Sequence, residues 1–150
     1  MNPNEKLEVG HIFTWDNFPY PAFGEIKRRW FIYLGDDGSY GIYVYITTAT
    51  TNMNRKNEDS IYFKKGEYSF ESDCIVNILE DFYSKKLTKD DLKNHSNDIT
   101  IKDKLPENKI REIYNKIVKS RTINMKDKKA IHNAFNMSGI YGLEEPKRKK

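Results

Sequence analysis

The sequence predicts an α+β protein: a small, strongly bent β-barrel from the first half of the chain, covered by C-terminal helices from the second. Three observations point there. Between residues 10 and 79, short apolar and aromatic runs alternate with turn residues at close spacing. Between residues 106 and 119, apolar positions recur with the period of a helix. The chain has 150 residues, 13% of them aromatic, which fits one domain with a real core.

The elements follow in order. "GHIFTWD", residues 10 to 16, alternates Ile12, Thr14 and Asp16 against Phe13 and Trp15 and reads as a strand. "NFPYPAFGE" carries Pro19, Pro21 and Gly24 and reads as a loop, because proline donates nothing to a sheet ladder. "IKRRWFIYL", residues 26 to 34, is a core strand, and the "GDDG" after it is hairpin-turn chemistry. The return strand, "IYVYITTA", spans 42 to 49 and is rich in β-branched and aromatic residues. "TTNMNRKNEDS" is polar without period and predicts a mobile loop. "IYFKKGEYSF" gives another strand with a turn at Gly66, and "DCIVNIL", 73 to 79, a further one.

The second half turns helical. Ile110, Ile113, Tyr114, Ile117 and Val118 share one face of a helix over 106–119, with Pro106 in its first turn and Glu107 near its positive end. A shorter helix is expected over 124–135, capped by Asn124 with Asp127 three positions on. "EEPKRKK" reads as a disordered end. Residues 1–120 form the barrel and its packing helix. Residues 121–150 add a short helical extension and a basic tail to the same domain.

Charge and composition bound the function. Net charge is +4, with 26 basic residues mixed among 22 acidic ones. That permits an acidic partner such as RNA without demanding one. A single cysteine, Cys74, makes neither a disulfide nor a cysteine-based zinc site, and reads as a small buried apolar residue in a reducing compartment. No apolar run has the length of a signal-peptide core or a membrane span. The expectation is a soluble cytoplasmic protein with no membrane contact. His11, His95 and His132 lack metal-ligand spacing and read as structural. No P-loop or dinucleotide fingerprint is present, so no cofactor is expected.

Arg28 and Arg29 head a strand that is otherwise apolar. Unpaired guanidinium groups are costly to bury. Either they snorkel at a strand's edge, or an anion meets them.

Four segments decide between these readings by likeness to a known family. "GHIFTWD" resembles the opening strand of the MazF/PemK-like toxins, with His11 where an aspartate usually stands. "KRRWFIYL" resembles their arginine-led second strand. "VYITTA" resembles the strand that ends in a threonine, and "FESDCIVNIL" the stretch where an aspartate and a small residue lead into an apolar strand. The resemblance covers roughly residues 10 to 120. It implies an SH3-like barrel, usually a homodimer, that cuts single-stranded RNA without metal and is held inactive by a cognate antitoxin. Carried over, the strand-leading arginine is Arg29 and the strand-ending threonine Thr47. The last of the four strands offers Asn77 where some members have an arginine, so the chemistry falls to Arg29 and Thr47.

RNA can be cut without metal by its own 2′-hydroxyl. The protein then stabilises the phosphorane and moves protons. A guanidinium fork bonds two phosphate oxygens at once, and a threonine hydroxyl can donate to a non-bridging oxygen. In a hairpin of strands 29–34 and 42–48, Arg29 and Thr47 are expected to lie opposite each other and to converge on one phosphate. Strand alternation sends Arg28 to the other face and lets one of Thr47 and Thr48 share Arg29's. Lys27, Arg28 and Thr48 are expected to bind the RNA backbone. Trp15 and Phe18, with Tyr20 and Phe23, are expected to stack bases where the core does not claim them. The proton acceptor is open; Glu25 is the nearest acid in sequence. The alternative is the same barrel without catalysis, binding nucleic acid or a protein partner.

Overall fold

The computed structural model describes residues 2–20, 26–38, 43–78 and 87–147. Phe23 and Glu25 lie outside the described residues, as do Leu79 and the last three residues of the basic tail. Seven strands form one strongly curled antiparallel sheet, a half-barrel: β1 (His11–Trp15), β2 (Arg29–Asp36), β3 (Tyr43–Thr50), β4 (Ile61–Phe63), β5 (Cys74–Val76), β6 (Leu87–Thr88) and β7 (Ile99–Lys104). The order is β4-β5-β3-β2-β1-β7, and β6 pairs with the start of β3. Three α-helices lie wholly within the described residues: α1 (Lys89–Asn94), α2 (Glu107–Lys119) and α3 (Met125–Met137).

Alternation along β2 and β3 sorts the core onto two faces. Ile32, Leu34, Tyr45 and Ala49 join a large cluster with Ile110, Ile113, Tyr114, Ile117, Ile131 and Phe135 of α2 and α3. Phe31, Tyr33, Val44 and Ile46 join a second cluster with Phe13, Trp15, Phe18, Leu92 and Ile99. The sheet is therefore covered on both faces, which explains the near-continuous apolar run from Trp30 to Leu34.

Gly35 sits in the irregularity that shifts the β2–β3 register between Tyr33 and Gly35. Its φ is +109°, and a Cβ there would meet the Ala134 methyl, so glycine is what lets α3 lie against β2. The α2–α3 corner is held by Lys128, whose buried ammonium donates to the carbonyls of Val118 and Ser120 at the C-terminus of α2. Asn124 caps α3 as expected, accepting from the Asp127 N–H at 2.8 Å. Pro106 precedes α2 as its cap rather than entering its first turn.

Several expectations change. The region 87–104, which the sequence left without elements, holds β6, α1 and β7. The polar loop before β4 is fastened: buried Asn77 donates to the Arg55 carbonyl at 3.0 Å and accepts from the Ser60 hydroxyl. The tail through residue 147 is packed rather than loose, with Pro146 buried, Leu143 against the larger cluster, and the Tyr114 hydroxyl donating to the Glu144 carbonyl. No helix among the described residues is long and apolar enough to cross a membrane.

His11, at the start of β1, makes stability pH-dependent. Its Nδ1 accepts the Glu8 N–H at 2.8 Å. Burial holds the imidazole below its usual 6.5, against the pull of the Glu8 carboxylate. The unfolded ring therefore takes a proton first, and stability falls with pH. This contribution is complete above pH 6.5 and shrinks as pH drops below it. Urea midpoints measured from about pH 8 to about pH 5 are expected to fall more for the wild type than for His11→Gln.

Candidate functional site

The candidate site lies at one end of β2, β1 and β7. Trp15 pairs with Arg29 on one side and Ile99 on the other, so these three residues stand in a row. Two strand spacings separate the outer backbones by about 10 Å. Arg29 is half-buried, on the same face as Phe31 and Trp15. It heads β2, where the chain leaves the proline loop.

Trp15 has no exposed surface. Phe18 meets its ring edge-on at 5.0 Å, Tyr20 at 6.2 Å, and the His95 imidazole lies 5.3 Å away. The expected base stacking on Trp15 and Phe18 does not hold, since Phe18 is 2% exposed and both rings belong to the core. The indole Nε1–H of Trp15 finds no acceptor among the described residues. Tyr20, half-buried, is the ring left at the surface of this cluster, and its hydroxyl donates to Asp91 Oδ1 at 3.2 Å. Burial, then the Asp91 carboxylate, pushes its phenol up from its usual value.

Asp91 lies in the first turn of α1, and His95 follows that helix as its C-cap. The helix starts at a reciprocal cap: Thr88 Oγ1 accepts the Asp91 N–H, and the Asp91 carboxylate accepts the Thr88 N–H. One turn on, His95 Nδ1 lies 2.8 Å from the Asp91 carbonyl. A carbonyl only accepts, so Nδ1 carries the proton and Nε2 is left as the basic nitrogen of the neutral ring.

The remaining expected residues divide. Lys27 and Arg28 are exposed beside Arg29, and Arg28 pairs with Asp16 in an ion pair open to water. Thr48, half-buried, faces the same side as Arg29, across from Phe31. The convergence of Arg29 and Thr47 fails. Thr47 pairs with Ile32 and so points to the opposite face of the sheet from Arg29. Arg29 lies three residues before Ile32, at the head of β2, on the other face of the sheet. Thr47 is completely buried, and its hydroxyl has no hydrogen-bond partner among the described residues. An unsatisfied buried hydroxyl costs stability. Thr47→Val is therefore expected to raise the unfolding free energy by about 1 kcal/mol, read from urea denaturation.

The sequence reads His95 as structural and does not single out Asp91. The signal that finds them is the spacing of Thr88 and Asp91, a capping pair that starts a helix and carries the histidine one turn beyond. No cluster of three or more potential metal-ligating side chains occurs among the described residues. No family model matches the chain, and no curated protein matches it either.

Proposed function

We propose that this protein is a metal-independent endoribonuclease that cuts single-stranded RNA, with Arg29 at its centre and the curled sheet as an SH3-like variant of the MazF/PemK-like barrel. The observation that carries the reading is the position of Arg29: half-buried at the sheet's end, with Lys27 and Arg28 exposed beside it. The guanidinium holds two non-bridging oxygens of one phosphodiester, and partial burial strengthens that grip as charge builds on the phosphorane. Lys27 and Arg28 attract the neighbouring phosphates, and Tyr20 offers a ring to a base.

In this reading the 2′-oxygen attacks phosphorus, the bond to the 5′-oxygen breaks, and the products are a 2′,3′-cyclic phosphate and a 5′-hydroxyl. A cognate antitoxin restrains the enzyme, which works as a cytoplasmic homodimer. A second reading is a barrel that binds nucleic acid or a protein partner without cutting, and the seclusion of Thr47 on the other face favours it. One experiment separates the two: the purified protein is mixed with long single-stranded RNA in EDTA. Discrete cuts support the enzyme. Intact RNA from folded protein, across several RNAs, overturns it.

A further inference from the structure

We propose that His95 is the proton acceptor of this site, taking the 2′-hydroxyl proton on Nε2. The inference rests on the endoribonuclease reading and adds the group that Arg29 cannot supply, since a guanidinium keeps its protons.

Three observations carry it. The His95 ring lies 5.3 Å from the ring of Trp15, the residue whose backbone pairs with Arg29, so His95 and Arg29 both adjoin Trp15, one through its ring and the other through the strand pairing. The Asp91 carbonyl fixes the Nδ1–H tautomer, which leaves the basic lone pair on Nε2. The ring is half-buried, so it is held in place yet remains reachable from solvent. The clamp itself is rigid: Asp91 is tied to Thr88 by the reciprocal cap and to Tyr20 through its carboxylate.

The step balances. The 2′-hydroxyl proton passes to Nε2 as the new P–O bond forms. The departing 5′-oxygen takes a proton from water as its bond to phosphorus breaks, and the resulting hydroxide accepts the proton from His95. No metal or second substrate enters. Arg29 binds the phosphoryl oxygens throughout.

The test uses the full chain and an RNA that the wild type cuts. His95→Gly is expected to slow cleavage at least about 100-fold, the usual weight of a positioned base, and added imidazole is expected to restore part of the loss. A purely structural histidine is not rescued this way. Wild-type rates in His95→Gly, or a loss that imidazole leaves untouched, overturn the assignment while the enzyme reading stands. Absence of wild-type cleavage overturns both. If the glycine variant fails to fold, nitrogen NMR of the wild type decides. A protonated Nδ1, and an Nε2 resonance that moves when a 2′-O-methyl oligonucleotide is added, support the assignment. A protonated Nε2, or a resonance that does not move, overturns it.

Discussion

Arg29→Ala is expected to lower kcat/KM for RNA cleavage by roughly 1000-fold, about 4 kcal/mol of transition-state stabilisation, the upper range for removing a donor to a developing oxyanion. The reason is that no other cation among the described residues heads a strand here: Arg28 is engaged by Asp16, and Lys27 is exposed. Arg29→Lys is expected to fall between the two, because an ammonium keeps the charge and loses the planar fork. Single-turnover rates on one RNA, with thermal unfolding recorded beside them, check this. Cleavage by Arg29→Ala within a few-fold of wild type would remove Arg29 from the chemistry.

The largest effect on stability is expected at Gly35. Gly35→Ala places a methyl against Ala134 on α3 and forces a side chain into positive φ. The overpacking and the backbone strain together are expected to cost roughly 2–5 kcal/mol. Gly66 is the control. Its φ is also positive, at +90°, but nothing lies within 4 Å of the position a Cβ would take. Gly66→Ala is expected to cost about 1–2 kcal/mol, the backbone term alone. Urea unfolding of the two variants separates close packing from backbone strain. Equal losses would mean that α3 does not press on β2 at this point.

The strands with strong composition were legible. β1, β2 and β3 announce themselves through aromatic and β-branched runs, and α2 through the spacing of Ile110, Ile113, Tyr114 and Ile117. What escaped was the stretch between residues 87 and 104, which packs beside Trp15. β7 is mostly polar beyond Ile99 and Ile101, because it is an edge strand at the end of the sheet order. α1 has six residues and one buried apolar side chain, Leu92, too little for a period to show. The face of Thr47 escaped for another reason. In an antiparallel pair, a shift of one residue in register exchanges the two faces, and neither turn length nor composition fixed that register. Trp15 and Phe18 looked like a stacking platform because an aromatic near a loop serves RNA or the core equally well. Leu92 of α1 joins their cluster, and His95 at the end of that helix lies against the indole.

The most direct test of the account is cleavage of an oligoribonucleotide spanning one mapped cut, compared with the same oligonucleotide carrying a single 2′-deoxy sugar 5′ of the scissile phosphate, in EDTA. The all-ribose strand is expected to yield a 2′,3′-cyclic phosphate and a 5′-hydroxyl, and the deoxy strand to stay whole at that position. Cleavage of the deoxy strand at the same bond, or a 5′-phosphate on the product, would contradict attack by the 2′-hydroxyl and with it the roles of Arg29 and His95.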